Sequence, residues 1–289
     1  MTKKKNKQDL LQEMRLSTNP ELFHFCTIAN KMGVGISTGI QSLTSPFERL
    51  LNKSLLTNIL NQELETISTS SSYLPIGSTG TDFVVYKGDH YSLTVKIIAN
   101  RNSSQNGHLA TSPNHHLIGV IGPDSVSLDL HQVPESHQNE VFSKTETLEY
   151  IGAFSIKPGC SFFIRADQDV VNLSRSDTPT VALVLSTHPL KTLTWLYAPA
   201  SLQAQQSVAA NPAHSRAEIA GLILAKMRYL PGTETLTRLT SHPAHFVRWS
   251  SIASLSLLNQ KKAKQALLAA VHDSHPHVRT AAIKTLETE

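Results

Sequence analysis

Cysteine is scarce in this sequence, with only Cys26 and Cys160 among 289 residues. Two cysteines so far apart cannot build the disulfide framework of a small secreted domain, and we expect a reducing compartment. No run of apolar residues approaches the length of about 18 that a membrane-spanning helix needs. The basic N-terminus is not followed by the apolar core of a signal peptide. These absences predict a soluble cytoplasmic protein with no membrane partner.

Charged and aromatic residues are also few. Asp, Glu, Lys and Arg make up 17% of the chain, against about 25% in an average protein, and aromatic residues make up 6%. So few aromatic rings argue against a surface that stacks the bases of single-stranded nucleic acid. A phosphate loop ending in Gly-Lys-Ser/Thr, the Gly-x-Ser-x-Gly elbow of hydrolases and a Cys-x-x-Cys pair are all absent. We therefore assign no catalytic residue.

The chain does contain three regions that differ in the spacing of their apolar residues, and its length suits about two domains. Apolar residues recur at helical spacing in residues 1–66 and alternate with polar ones in residues 81–198. Residues 199–289 return to helical spacing and are rich in Ala and Leu. The Ser/Thr-rich residues 67–80 are a predicted linker. We predict a multidomain α and β protein with a helical N-terminal segment, a β-barrel and a C-terminal α-solenoid.

The N-terminal segment is predicted to hold three helices. The first lies around Leu10 and Met14, and the second is Pro20–Met32. The tetrapeptide Ser45-Pro46-Phe47-Glu48 has the N-cap serine, the first-turn proline and the glutamate of a capping box. The third helix is therefore predicted to begin at Ser45 and to continue through Leu60.

The middle region is predicted to hold nine short antiparallel strands, typical of a sandwich or barrel. Gly122-Pro123-Asp124 and Pro158-Gly159 are predicted hairpin turns between neighbouring strands. The predicted strands are Asp82–Lys87, Tyr91–Ala99, His116–Ile121, Asp124–His131, Glu149–Ile156, Ser161–Arg165, Val170–Ser174, Thr180–His188 and Thr192–Tyr197.

Two stretches of this region carry a family resemblance. The strand at His116–Ile121 is followed by the Gly122 turn, and Pro158-Gly159 precedes the aromatic strand Ser161–Arg165. This order resembles the two motifs of the cupins, an RmlC-like jelly roll, and more loosely the thiol dioxygenases among them. The resemblance spans about residues 85–198 and implies a jelly-roll barrel that pairs into a dimer. It also implies a small-molecule ligand pocket, for which the candidate residues are His108, His116, Phe163, Arg165 and Asp169.

The sequence departs from the cupin pattern at the metal ligands. Metal-binding cupins have His-x-His in the first motif, whereas the corresponding stretch here is His108-Leu109-Ala110. The histidine of the second motif would fall near Gln168 or Asp169. The resemblance therefore implies a cupin that has lost its metal, with no cofactor. If iron or another divalent metal is bound, the candidate ligands are His108, His116 (or His115) and Asp169.

The C-terminal region contains an internal repeat of 31 residues, and a period of this size between helices predicts a solenoid. Leu236, Val247, Arg248, Ile252 and Leu255 recur as Leu267, Val278, Arg279, Ile283 and Leu286.

The turn within this repeat carries a second resemblance. Asp273, Pro276 and the Val278-Arg279 pair precede a helix of small residues. This resembles the HEAT-like repeats, and the stretch at 241–248 is a looser copy that lacks the Asp. The resemblance implies a role in protein interaction. We interpret Arg248 and Arg279 as structural residues that bond neighbouring repeat backbones or carboxylates, with a phosphate contact as the alternative. A degenerate helix pair is predicted at 201–230.

Charge, cysteine and histidine content add further expectations. Residues 213–289 hold ten basic and five acidic side chains, which we interpret as a solvated helical surface, with an acidic partner as the alternative. Binding of nucleic acid through this charge is a third and disfavoured hypothesis. Cys160 is expected to be a buried core thiol. The predicted partner surface consists of Arg238, Arg248, Lys261, Lys262 and Lys264. The histidines of the repeat turns are interpreted as turn residues, with a metal clamp as the alternative; they are His242, His245, His272, His275 and His277.

Two functional hypotheses follow. The leading one is a non-enzymatic binding or regulatory protein, in which a degenerate, metal-free cupin pocket is coupled to a helical-repeat surface that binds a protein partner. The alternative is a metal-dependent cupin oxygenase, similar to the thiol dioxygenases, with unusual ligands.

Overall fold

The computed structural model describes residues 7–69, 82–98, 107–174 and 179–288, with the side chains of 7–11 and 174 left out. It has the predicted helical N-terminal segment, strand-rich middle and helical C-terminal region. No helix in these ranges is long and apolar enough to cross a membrane. The helices are α1 (Lys7–Thr18), α2 (Pro20–Met32), α3 (Ile36–Gly39), α4 (Thr44–Glu48), α5 (Lys53–Thr69), α6 (Pro212–Lys226), α7 (Thr233–Leu239), α8 (His245–Leu258), α9 (Gln260–Ala270) and α10 (Pro276–Thr288). The strands are β1 (Asp82–Lys87), β2 (Tyr91–Ile98), β3 (Leu109–Ala110), β4 (His116–Val120), β5 (Val126–Gln132), β6 (Glu149–Ile156), β7 (Ser161–Ile164), β8 (Asp169–Ser174), β9 (Thr180–Thr187), β10 (Leu193–Tyr197) and β11 (Ala204–Ala209).

The chain divides into two compact units. The first comprises residues 1–135, 146–190 and 196–204, and the second comprises 136–145, 191–195 and 205–289. The N-terminal helices therefore belong to the same unit as most of the strands. The predicted linker at 67–80 lies outside the described residues from position 70 onwards, and residues 67–69 are the end of α5.

The predicted third helix is wrong in one respect, because it is two helices. The chain leaves helical geometry after α4, and α5 begins at Lys53. The side chain of Asn52 accepts a hydrogen bond from the backbone N–H of Leu55 at 2.8 Å, which is the N-cap that starts the second helix. Ser45 lies within α4 and does not cap it.

The centre of the first unit is a five-stranded antiparallel sheet in the order β1-β2-β9-β4-β7. Because side chains alternate across a strand, this sheet presents apolar residues on both faces. One face packs against α2, α4 and α5 in a single hydrophobic cluster. The sheet residues in this cluster include Leu93, Val95, Leu117, Leu183 and Leu185, and the helix residues include Leu22, Phe25, Phe47, Leu50 and Ile59.

The opposite face of this sheet packs against the three-stranded sheet β6-β5-β8. Ile118, Val120 and Val184 alternate with the helix-facing residues of the same strands, and they meet Val126 and Leu128 of β5. All five side chains are buried. The space between the two sheets is therefore filled in this part by aliphatic side chains.

The two predicted hairpin turns are wrong, and the physical reason is the same for both. Gly122 lies between β4 of the five-stranded sheet and β5 of the β6-β5-β8 sheet. Pro158-Gly159 lies between β6 of the β6-β5-β8 sheet and β7 of the five-stranded sheet. Each turn carries the chain from one sheet to the other. Glycine and proline mark where the chain turns but do not specify which strands pair. In the described residues the strands form three sheets and not the closed barrel that was predicted.

The nine predicted strands are all observed, with ends shifted by at most two residues. Strands β3 and β11 were not predicted. The predicted helix pair at 201–230 is wrong, because this stretch holds β11 and the single helix α6. A short polar and Ala-rich strand such as Ala204–Ala209 lacks the alternation that marks a strand in a sequence.

Helices and sheet approach closely at Gly119 of β4. A Cβ atom built there would lie 2.5 Å from both Cδ atoms of Leu51 and 2.9 Å from a ring carbon of Phe47. Both side chains are buried and have little room to move. A residue without a side chain is therefore needed for this packing distance.

One buried arginine joins α1, α5 and the edge strand β1. Strand β1 has an irregularity between Val84 and Tyr86, where pairing with β2 shifts. Arg15 donates to the carbonyls of Val84 at 2.8 Å and Val85 at 2.7 Å, and it pairs with the carboxylate of Glu63. The guanidinium thus provides hydrogen bonds to backbone carbonyls at the point where regular pairing between β1 and β2 is interrupted.

In the second unit, residues 136–145 fold against residues 191–195. Trp195 is completely buried, and its indole N–H donates to the carbonyl of Asn139 at 2.8 Å. The amide of Asn139 donates to the carbonyl of Leu193 at 2.9 Å. The helices α7 to α10 bury the repeat positions Leu236, Val247, Ile252, Leu255, Leu267 and Val278.

We expect Arg15→Met to lower the free energy of unfolding by about 3–5 kcal/mol, because it breaks a buried ion pair and two hydrogen bonds to backbone carbonyls. The double variant Arg15→Met/Glu63→Leu should lose less than the sum of the two single variants. Urea unfolding of the four proteins measures this coupling. Strictly additive losses would show that the ion pair does not stabilise the unit.

Candidate functional site

His116 lies at the start of β4 with its ring between two serine hydroxyls. Its Nε2 is 2.7 Å from the Oγ of Ser112, and its Nδ1 is 2.8 Å from the Oγ of Ser186, the cross-strand neighbour on β9. Burial, with smaller contributions from Lys96 and His115, lowers the pKa of His116 to about 4. The imidazole is therefore neutral at neutral pH, and both of its nitrogens already have partners.

Asp169 begins β8 and is held by Arg165. The Arg165 backbone N–H donates to Oδ2 at 2.7 Å, and its guanidinium donates from Nη2 to Oδ1 at 2.7 Å and from Nε to Oδ2 at 3.1 Å. The hydrogen bond with Asp169 raises the pKa of Arg165. The carboxylate that was a candidate metal ligand is thus engaged in an ion pair with a second candidate pocket residue.

Phe163 lies on the other face of the five-stranded sheet from His116. It packs with the helix-facing cluster, whereas its strand neighbours Phe162 and Ile164 pack with the inter-sheet cluster. The ring of His115 lies 5.6 Å from that of Phe163, and its Nδ1 accepts a hydrogen bond from the backbone N–H of Ala166 at 2.8 Å. Burial lowers the pKa of His115, and the Asp169 charge opposes this.

The predicted pocket residues are therefore only partly brought together. Arg165 and Asp169 are in contact, while His116 and Phe163 occupy opposite faces of the sheet. His108 lies next to β3, and its buried Nδ1 has no hydrogen-bond partner in the described part of the chain. Ligand or metal binding by His108, His116 and Asp169 stays a prediction.

The expectation of a buried Cys160 is wrong, because its side chain is exposed. Cys160 lies in the crossover from β6 to β7, and its backbone N–H donates to the carbonyl of Lys157 at 3.0 Å. It precedes the strand, so the alternation that would bury it does not extend to this position. The other cysteine, Cys26, is in the core, and burial raises its pKa to about 12.

The two repeat arginines have a structural role, as predicted, but the carbonyls that they bond lie in the turn before their own helix and not in a neighbouring repeat. Arg279 Nη1 donates to the carbonyls of Asp273 and Ser274 at 2.7 and 2.8 Å. Arg248 Nη1 makes the same two bonds to His242 and Pro243, both at 2.9 Å. In each repeat the acceptors lie six and five residues before the arginine, so the two turns have matching geometry.

Arg248 also connects one repeat to the next. Its Nε and Nη2 donate to the two carboxylate oxygens of Asp273 at 2.7 and 2.5 Å. Burial alone would raise the pKa of Asp273, but hydrogen bonds from Arg248 and from the backbone N–H of His275 lower it overall. This bidentate pair is the strongest kind of hydrogen-bonded contact between side chains.

The upstream turn has His242 where the downstream turn has Asp273. The carboxylate of Asp273 accepts from the N–H of His275 at 2.7 Å, and Nδ1 of His242 accepts from the N–H of Ala244 at 3.1 Å. The histidine thus caps the turn as the aspartate does. This explains why the looser copy folds in the same way without its Asp.

The basic residues of the predicted partner surface differ in solvent exposure. Arg238, Lys261 and Lys264 are exposed, and Lys262 is partly buried. The assignment of Arg248 to a partner surface is wrong, because its side chain is 11% exposed and holds Asp273 and two carbonyls.

A surface cavity in the second unit was not found from the sequence. Its volume is about 500 Å³, and its lining includes the cations Lys226 and Arg228 and the apolar side chains of Leu230, Leu257 and Leu258. Arg228 has a φ of 52°, in the left-handed region that favours glycine. The sequence did contain one sign of an apolar surface here, because apolar residues occur all round α6. Exposed among them are Ile219, Leu222 and Ile223 of α6, and Met227 just after it.

Sequence comparison identifies the C-terminal region. Residues 193–287 match the family model of HEAT repeats. This agrees with the arginine turns and the 31-residue period, and it confirms the predicted HEAT-like solenoid. A search of curated protein sequences gave no match.

Structure comparison gives likenesses to cupin-type proteins. Hydroquinone 1,2-dioxygenase from Sphingomonas sp. TTNP3, with 4-hydroxybenzoate bound, aligns over 42% of this chain and 71% of its own with 10% identity and a TM-score of 0.28. The DMSP lyase DddQ from Ruegeria pomeroyi DSS-3 aligns over 39% of this chain and 49% of its own with 13% identity and a TM-score of 0.25. A cupin-2 domain protein from Shewanella frigidimarina NCIMB 400 aligns over 43% and 89%, with 7% identity and a TM-score of 0.24. At these TM-scores the likeness carries no inference about activity.

We expect His116 to make stability depend on pH between about 6.5 and 4. The unfolded histidine takes up a proton in this range and the folded one does not, so stability is lost as pH falls through the window, by up to about 3 kcal/mol. His116→Gln should flatten the profile measured by urea unfolding at successive pH values. The exposed His188, changed to Gln, is the control, and parallel profiles for His116→Gln and wild type would contradict this expectation.

We expect Arg248→Lys to destabilise the second unit by about 2–4 kcal/mol, because an ammonium group cannot replace the bidentate fork and its two carbonyl bonds. Arg238→Lys on the exposed surface should change stability by less than about 0.5 kcal/mol. Thermal unfolding of the full chain compares the two. Equal effects would show that the Arg248–Asp273 contact does not hold the repeats together.

Proposed function

We propose that this chain is a non-enzymatic binding protein. Its HEAT-like repeats bind a protein segment that carries both apolar and acidic side chains, at the cavity lined by Lys226, Arg228, Leu230, Leu257 and Leu258. The observation that carries the proposal is this cavity, whose lining combines three leucines with two cations. Apolar side chains of the partner contact the leucines and its carboxylates pair with Lys226 and Arg228, so charge complementarity selects the partner.

The backbone at Arg228 supports the same assignment. A non-glycine residue in the left-handed region costs roughly 1–2 kcal/mol. Glycine is the usual residue at such a position after a helix, yet this chain has Arg228 there, which lines the cavity. Strained residues of this kind concentrate at binding sites.

The contacts of the β region support a binding protein over an oxygenase. His116 has serine partners at both nitrogens, and Asp169 has a bidentate arginine partner. A ferrous site built on these residues would have to break all of these contacts. The metal-dependent oxygenase alternative is therefore less well supported than a β region that serves as a scaffold or a metal-free pocket.

Selection of a random peptide library on the full-length chain tests the proposal. We expect enrichment of peptides that combine Leu, Ile or Met with Asp or Glu. Affinity for a selected peptide, measured by fluorescence anisotropy, should fall at least about tenfold in Arg228→Glu/Leu257→Asp, because a cation of the lining is reversed and an apolar side chain is replaced by a carboxylate. Both positions are on the cavity surface, and Leu257 is 54% exposed, so folding should be retained.

Arg216→Glu is the matched control, since it reverses an exposed charge on α6 outside both the cavity and the predicted partner surface. Equal binding to wild type and to Arg228→Glu/Leu257→Asp would overturn the proposal, as would enrichment of basic peptides. Concentration-dependent dimerisation that the double variant abolishes would assign the cavity to a second copy of the chain, and this result would overturn it too.

A further inference from the structure

Three potential metal ligands from distant parts of the sequence meet in the second unit. Glu140 lies in the segment 136–145, His245 is the first residue of α8, and His275 immediately precedes α10. One ligand atom from each side chain lies within 4.8 Å of the others. Within the described ranges this is the only group of three or more His, Cys, Asp or Glu side chains so arranged.

The three side chains are already positioned by the fold. The carboxylate of Glu140 accepts hydrogen bonds from the hydroxyl of Thr192 at 2.6 and 2.5 Å, and one of its oxygens is 3.1 Å from Nδ1 of His245. Nε2 of His275 donates to the backbone carbonyl of Glu140 at 2.5 Å. The two imidazole rings are stacked, with centroids 3.6 Å apart and planes within 2° of parallel.

We propose that Glu140, His245 and His275 bind a zinc ion that links the segment 136–145 to the turns of two successive repeats. Two imidazoles and one carboxylate are a common zinc ligand set, with water in the fourth position. The ion enters from solvent, because the Glu140 side chain is 38% exposed whereas those of the histidines are largely covered.

Coordination exchanges existing contacts for metal bonds. The lone pair of an imidazole lies in the ring plane, so the stacked rings rotate about χ2 until both lone pairs converge on the ion. His245 gives up its bond to the Glu140 carboxylate, and His275 gives up its bond to the Glu140 carbonyl. The carboxylate retains the hydroxyl of Thr192 as the group that orients it.

The protonation states of two ligands suit a cation. Burial would raise the pKa of Glu140, but hydrogen bonds from His245 and Thr192 outweigh it and lower the pKa to about 2. Burial lowers the pKa of His275, and this outweighs the hydrogen bond to the Glu140 carbonyl, which opposes it. At neutral pH the carboxylate is ionised and His275 is neutral, which are the forms that bind a metal.

Zinc binding to the full-length chain, produced without a polyhistidine tag and stripped with chelator, tests the site. Equilibrium dialysis against Zn²⁺ followed by plasma mass spectrometry should give one zinc per chain, and Co²⁺ in its place should give the visible absorption bands of a tetrahedral site. His275→Ala and Glu140→Gln should each weaken Zn²⁺ binding by at least about 100-fold, since loss of an outer-shell contact alone costs about 10–100-fold. Zinc should also raise the midpoint of thermal unfolding in wild type but not in Glu140→Gln.

His277→Ala is the matched control, because it removes a neighbouring imidazole and keeps the backbone N–H that donates to Nδ1 of His275. His116→Ala tests the β region in the same assay. Absence of bound zinc in wild type would overturn the proposal. Zinc that is lost from His277→Ala or His116→Ala but retained by Glu140→Gln, with its fold confirmed by circular dichroism, would also overturn it.

Discussion

The first unit depends on one constraint, which is that its five-stranded sheet is apolar on both faces. Leu117 and Leu185 project to one side and Ile118 and Val184 to the other, so neither face tolerates water. The three-stranded sheet covers one face, and the N-terminal helices cover the other. The helical segment is therefore part of the core and not an appendage. Gly119 brings Leu51 and Phe47 close to the sheet, and Arg15 completes the hydrogen bonds of the irregular edge strand.

The polar residues of the middle region have hydrogen-bond partners within the protein. His116 and Asp169 were candidate ligands, but their partners are serines and an arginine from the same chain. Buried polar groups need hydrogen bonds, and here the protein supplies them without an ion. Our proposals place ligands in the second unit, at the cavity lined by Lys226 and Arg228 and at the cluster of Glu140, His245 and His275.

The second unit combines a regular part with an irregular one. Its repeats are built by a local rule, since each arginine bonds the carbonyls six and five residues before it. The segment 136–145 follows no such rule and is fixed by Trp195, Asn139 and Thr192. An irregular segment held rigidly beside a repeat turn is a suitable place for a ligand site, because it adds donor groups that the repeat itself does not contain.

The amino-acid sequence alone determined the features that depend on near neighbours. Alternation located all nine predicted strands, and a 31-residue period with the Asp273 turn located the repeats, because periodicity and capping act over a few residues. Tertiary structure decided the pairing and the site. The turns at Gly122 and Gly159 connect sheets, Cys160 is exposed, and Glu140 meets histidines more than a hundred residues away. Contacts of this kind depend on how whole elements pack, and no local pattern records which distant surfaces will exclude water together.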